Sequence, residues 1–305
     1  MKIKGKIIIK RLFVLIVFFI ICNQHFVGAR MNMLSTAEVI IHHAPSLINA
    51  AQETAELYKE SKAVLEQIFG WQYEEKAIVV IAKNNNEFRR ITGYSYIVAL
   101  AVPQRDLIII DYSKMSRWPS FLERTLKHEI CHLMLHHHIR DGQLPKWLDE
   151  GIAQWVSDGM VELLMNSKRQ SLDDAILAGN YMPLSELTHS FPRDRRSLWL
   201  AYEESKSVVG YIEKHYGRKG VLNLLNHLKA GQDFDTALYK SFSISFNELE
   251  SKWQRQLKNR TRLITFLATY IYEVLFVLAA ILTIAGFIRF LIKKRAYKDE
   301  DDDGG

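Results

Sequence analysis

His128-Glu129-Ile130-Cys131-His132 sets two histidines four positions apart with a glutamate directly after the first. On a helix, positions i and i+4 share one face about one turn apart, so both imidazoles reach a single cation while Glu129 sits beside them to hold a water. The pair does not complete a metal centre, because a catalytic zinc takes three protein ligands and keeps one position open. Three residues are candidates for the third ligand. His136 stands one turn further along the same helix. His138 lies six residues past His132, where it serves only if the helix breaks between the ligands, normally at a glycine, and the residue there is Leu135. His136 to His138 are expected instead to form the solvated C-terminal end of that helix, where their partial positive charge suits the dipole. Glu150 lies in Leu144-Pro145-Lys146-Trp147-Leu148-Asp149-Glu150-Gly151-Ile152-Ala153. Pro145 starts a new helix after the Asp141-Gly142 turn, which can lay this helix back against the first and point Glu150 at the histidines.

The elements needed to hold such a site are legible around it. The 305 residues are 48% hydrophobic and 24% charged, enough apolar material for a packed core and too much for a disordered chain. Ser46 to Phe69 has helical apolar spacing and stops at Gly70. The period then changes: Ala77 to Ala82, Tyr96 to Val102 and Leu107 to Asp111 are short β-branched runs separated by Asn-rich, Gly and Pro-Gln-Arg-Asp segments, and predict strands of a small sheet. Beyond Pro119 the pattern is helical near 120 to 139, 145 to 158, 196 to 216, 218 to 229 and 245 to 259. Strands followed by a run of helices predict an α+β fold, with a sheet-bearing N-terminal half and a helical C-terminal half. Trp147 is expected to pack the second metal-site helix to the core, and Cys131, on another face than the histidines, to be a small buried apolar residue.

Both ends of the chain point to a membrane. Lys2, Lys4, Lys6, Lys10 and Arg11 precede the apolar run Leu12 to Cys22, and Val27-Gly28-Ala29 offers small residues at alternate positions, as in a secretory signal over residues 1–29; an uncleaved anchor, with Ile7 to Ile9 lengthening the apolar stretch, is the second reading. Removing those five basic residues takes the formal charge from +6 to +1, so no basic stripe remains for nucleic acid. Of the two cysteines only Cys131 would then remain, and no internal disulfide is possible. Leu263 to Ile292 is apolar apart from Glu273, Arg289 and a few Thr and Tyr, long enough to span a bilayer, and Lys293, Lys294 and Arg295 follow at once. The positive-inside rule places residues 293–305 in the cytoplasm, the 263–292 helix in the membrane, and the 30–262 domain on the outer face.

HExxH followed by Glu150 within Trp-Leu-Asp-Glu-Gly-Ile-Ala resembles the gluzincin zinc peptidases, in particular the membrane-associated group called peptidase MA-like. Ala201 to Ser205, Val208 to Ile212, His215-Tyr216-Gly217 and Phe234 to Leu238 before Phe246 to Trp253 resemble the helical half of that group in order and spacing, so the likeness covers about residues 40 to 258. It implies a zincin-like fold with a small mixed sheet, Zn²⁺ held by His128, His132 and Glu150, Glu129 as general base, and a protein or peptide substrate. Two neutral imidazoles and one carboxylate leave zinc net positive, which lowers the pKa of water toward ~7 and polarises a carbonyl. Glu129 would take the water proton and deliver it to the leaving nitrogen. Tyr202 occupies the place where related gluzincins carry a tyrosine that donates to the oxyanion, with Tyr211 and His215 as alternatives. Gln154 departs from the pattern: one turn after Glu150, many zinc peptidases place a carboxylate to orient a ligand histidine, so weaker zinc affinity is expected. The aminopeptidase segment Gly-x-Met-Glu-Asn is missing, which favours endopeptidase action, and Tyr96 to Val102 or Leu107 to Asp111 could bind substrate as an added strand. The competing reading is a catalytically silent, membrane-tethered binding module that keeps the fold; Glu129 counts against it, since a structural zinc needs no base.

Overall fold

The computed structural model describes residues 31–94, 96–115, 120–159, 172–177 and 181–302. The expected signal at 1–29, Cys22 included, and residues 303–305 of the expected cytoplasmic end lie outside them. The described residues fall into two units, each taken by itself below.

The first unit opens with a five-stranded sheet built from β1 (Asn32–Ser35), β2 (Val39–His43), β3 (Ala77–Ala82), β4 (Ala99–Val102) and β5 (Leu107–Asp111). Its order is β1-β2-β3-β5-β4. The β2–β3 and β3–β5 pairs are parallel, and the β1–β2 and β4–β5 pairs antiparallel, so the sheet is mixed. The central strand β3 reads as one apolar run, as a strand with parallel neighbours on both sides must. Two of the three expected strands lie over the predicted residues; the third begins at Ala99 rather than Tyr96, because ladder pairing with β5 starts only there. β1 and β2 were not expected. They are short, and β2 alternates buried and half-buried positions through His42 and His43 rather than showing an apolar run.

Helix α1 (Ile48–Phe69) ends at Gly70, whose left-handed φ of 68° lets its N–H close on the Glu66 carbonyl. The Asn-rich segment expected as a turn instead starts helix α2 (Asn85–Thr92): the Asn84 side chain accepts from the Glu87 N–H at 3.0 Å and caps it. Helix α3 (Phe121–His138) is central. Phe121, Leu126, Ile130, Leu133 and Met134 are buried, and so are His128, Glu129 and His132, so burial runs all round the helix. It packs against α1, β4 and α4 (Lys146–Val156). Trp147 is fully buried, with its ring edge-on to Phe234, and Cys131 is a free, buried thiol, both as expected.

In the same unit α4 packs on α6 (Arg195–Lys229), and α6 on α7 (Phe234–Phe242). The two helices expected over 196 to 229 form one element broken at Gly217, whose φ of 71° and ψ of 170° are open essentially to glycine alone. The close α4–α6 approach depends on Gly151: a Cβ there would stand 2.6 Å from the Ser205 carbonyl oxygen and from Val209 Cγ2.

The second unit contains α5 (Leu172–Leu177) and α8 (Phe246–Asp302), which pack together. The helix expected near 245 to 259 and the apolar stretch Leu263 to Ile292 are parts of the one continuous α8. Its Tyr270–Lys293 segment is long and apolar enough to cross a membrane, and its most apolar stretch is not buried in protein.

Candidate metal centre

The turn between α3 and α4 folds the two helices face to face, which brings residues 128, 132 and 150 together. His128 Nε2 and His132 Nε2 are 3.3 Å apart, and Glu150 Oε2 lies 3.5 Å from each. All three residues are buried, and Glu150 Oε2 has no hydrogen-bond donor. A tetrahedral ion with bonds of roughly 2.0–2.2 Å would separate its ligand atoms by about 3.3–3.6 Å. The triangle therefore fits one zinc-sized cation, and a buried carboxylate oxygen without a donor is accounted for by one.

Electrostatics and tautomers agree with that fit. The Nδ1–H of His132 donates to Asp149 Oδ1 at 2.7 Å, which leaves Nε2 of a neutral ring with its lone pair turned to the triangle. Burial alone would raise the Glu150 carboxyl, but Lys146 and then His132 outweigh it and hold it well below the usual carboxylate range. Asp149 is held low in the same way by His132 and Lys146 against burial. In the metal-free protein burial would lower His132, yet Asp149 and Glu150 carry it up to about 10. Glu129 behaves oppositely. Burial raises its carboxyl, and the pull of His128 and His132 in the other direction is too small to offset it.

The carboxylate that holds His132 is thus Asp149, beside Glu150, and not a group one turn after it. Gln154 Nε2 donates to the Tyr202 carbonyl at 2.8 Å, while Gln154 Oε1 and His128 Nδ1 are both buried with no partner among the described residues. The signal for Asp149 was available, since it adjoins Glu150 in sequence. His136 is not a solvated helix end either: its Nε2–H donates to Asp149 Oδ2 at 3.2 Å, and it faces the cavity. His138 turns away and donates to the Gln72 carbonyl at 2.8 Å.

A cavity of about 260 Å³ opens over the triangle. One wall is the sheet edge, residues 96 to 101 with Pro103 and Gln104, and the other carries Leu198 and Tyr202. Tyr202 makes an edge-on contact with Phe191 at 5.2 Å, and burial, then Glu150, push its hydroxyl well above the ordinary tyrosine value. Tyr211 and His215, the alternatives to Tyr202, do not line the cavity; their rings stack on each other at 4.1 Å. β4 is an edge strand, whereas β5 is paired on both sides, so of these two strands β4 is the one that can accept a further strand. The acidic groups lining the cavity among the described residues are Glu129, Asp149 and Glu150.

Comparison with known proteins gives a family. No curated protein matches the sequence. The fold is similar to that of aminopeptidase A from Legionella pneumophila, solved in complex with aspartic acid, with 14% sequence identity and a TM-score of 0.47. The likeness covers 74% of this chain and 28% of that one, so this chain spans little more than a quarter of that protein. The Peptidase MA superfamily, by contrast, matches residues 63–259, which include both helices of the triangle and Tyr202. With well over half of its length matched, the chain belongs to the Peptidase MA superfamily.

Proposed function

We propose that the protein is a membrane-anchored zinc endopeptidase with His128, His132 and Glu150 as metal ligands, Glu129 as general base and Tyr202 as donor to the oxyanion. The observation that carries this reading is the buried triangle of Nε2, Nε2 and Oε2 atoms at zinc-ligand spacing, with Glu129 in the same cavity. Zinc held there would supply Lewis acidity to the scissile carbonyl and acidify a water. Glu129, with its raised carboxyl and a backbone hydrogen bond from Ala101, accepts the proton of the attacking water and passes it to the leaving nitrogen. The Tyr202 hydroxyl stays protonated through neutral pH and can donate to the developing oxyanion. Substrate backbone adds to β4 as an extended strand. Internal cleavage is favoured because, among the described residues, the carboxylates lining the cavity are Glu150, Glu129 and Asp149, assigned to metal, water and His132, which leaves none of them to hold a free α-amino group.

The exposed apolar segment Tyr270–Lys293 has no place in water and serves as the anchor. With residues 1–29 as a secretory signal and the basic cluster after 292 retained in the cytoplasm, the 30–262 domain works on the extracytoplasmic side of the cell membrane. The test is zinc content and hydrolysis of an unfolded protein by the purified chain, beside Glu150→Ala and Glu129→Gln. One zinc per chain with cleavage, less zinc in Glu150→Ala, and full zinc without cleavage in Glu129→Gln are expected. No zinc in a folded, zinc-supplemented protein would overturn the assignment, and zinc without cleavage of any unfolded protein would favour the binding module.

A further inference from the structure

Lys146 is the first residue of α4, and helical spacing carries its ammonium over the residues three and four positions on. Its Nζ stands 3.0 Å from Asp149 Oδ2 and 2.8 Å from Glu150 Oε1. The two oxygens of Glu150 are thereby made unequal. Oε1 is taken by the ammonium, while Oε2, buried and without a donor, is the one equidistant from the two histidine nitrogens. Asp149 is divided in the same way, with Oδ1 accepting from His132 and Oδ2 from Lys146 and His136. One ammonium is therefore bonded to the carboxylate aimed at the triangle and to the carboxylate that sets the ring of His132. A free carboxylate can offer both oxygens to one cation, but an ammonium on one of them leaves a single oxygen to give.

We infer that Lys146 is a positioning residue that restricts Glu150 to one metal-facing oxygen and so keeps the remaining coordination positions open. The inference rests on the zinc reading above. Charge balance agrees with it: Glu129, Asp149 and Glu150 against Lys146 leave two negative charges, which a divalent cation cancels, and buried charge left uncompensated is costly. Lys146 is neither one of the three ligand residues nor the base Glu129, so its part is to hold the others.

The test is zinc-edge X-ray absorption on the full-length, zinc-loaded protein beside Lys146→Met. The variant is expected to keep one zinc per chain, to gain one oxygen neighbour as both Glu150 oxygens turn to the ion, and to lose roughly 10 to 100-fold in turnover. Lys146→Gln, whose amide cannot hold both carboxylates as an ammonium does, provides the same comparison if the methionine variant does not fold. A parent protein that takes up no zinc overturns the zinc reading and this inference together. Zinc-loaded parent and variant with the same neighbours around the ion overturn this inference alone.

Discussion

Asp149 Oδ1 accepts a 2.7 Å hydrogen bond from Nδ1 of His132, seventeen positions earlier in the chain. Since Glu150 follows directly, a single turn of α4 presents one oxygen to the triangle and fixes the tautomer of a ring in it. Removing the acceptor frees that ring to rotate. Asp149→Ala should weaken zinc binding by about 10 to 100-fold while leaving the fold intact, as measured by chelator competition, and an unchanged affinity would remove Asp149 from this role.

The same bond makes zinc binding depend on pH. In the metal-free protein His132 titrates at about 10, so at neutral pH it carries a proton that zinc must displace. Zinc affinity should rise about tenfold per pH unit between pH 6 and 8, with close to one proton released per ion, as read by calorimetry in buffers of different ionisation heat. The sign for stability is opposite. A histidine raised from 6.5 to about 10 on folding stabilises fully below pH 6.5, and that contribution is lost as pH rises toward 10. The chelated protein should melt at lower temperature at pH 9 than at pH 6.5; a flat profile contradicts the buried His132–Asp149 pair.

How much of this was legible beforehand varied with the kind of signal. The ligand candidates announce themselves through fixed helical spacing, and the α3 and α4 helices lie within a residue or two of their predicted limits. Asp149 and Lys146 are less legible: the orienting carboxylate lies beside Glu150 rather than one turn after it, and the i+3 and i+4 spacing from Lys146 is the signal that ties it to both carboxylates. α2 is hidden because Asn84 has the type of a turn residue and acts as a helix cap, β1 because Asn32–Ser35 is mostly exposed and has no β-branched residue, and β2 because Val39–His43 ends in two histidines rather than continuing as an apolar run.

Tyr202→Phe removes the hydroxyl of a residue that lines the cavity and leaves the three triangle residues in place. Turnover should fall on the order of 100-fold with zinc content unchanged. Equal turnover would take the residue out of the mechanism, and loss of zinc would recast it as structural.

Gly151 offers a test of the scaffold. Any Cβ there meets the Ser205 carbonyl oxygen and Val209 Cγ2 at 2.6 Å, so Gly151→Ala must push α4 away from α6. We expect a loss of about 1–3 kcal/mol in denaturant unfolding, with weaker zinc binding because Glu150 is the next residue. Stability equal to the parent would mean that the helix contact relaxes freely.

The proposed topology predicts an asymmetric digestion. Protease added to intact cells should degrade the region between residues 31 and 262 and spare the tail after Lys293, as followed by antibodies to each end. Full protection of the larger region rules out an extracytoplasmic site.

Under the proposed docking of substrate on β4, its edge position bears on which proteins can be cut at all. Four strand residues span only about 13 Å, and they can be engaged only by a chain that is itself extended and has its own backbone groups free. Residues inside an intact helix or an interior strand fail that condition whatever their side chains, whereas a frayed terminus or a segment freed by local unfolding meets it. Selection would then fall on the conformational state of a protein before its sequence, and the rate of cleavage at a given site would follow how often that site opens.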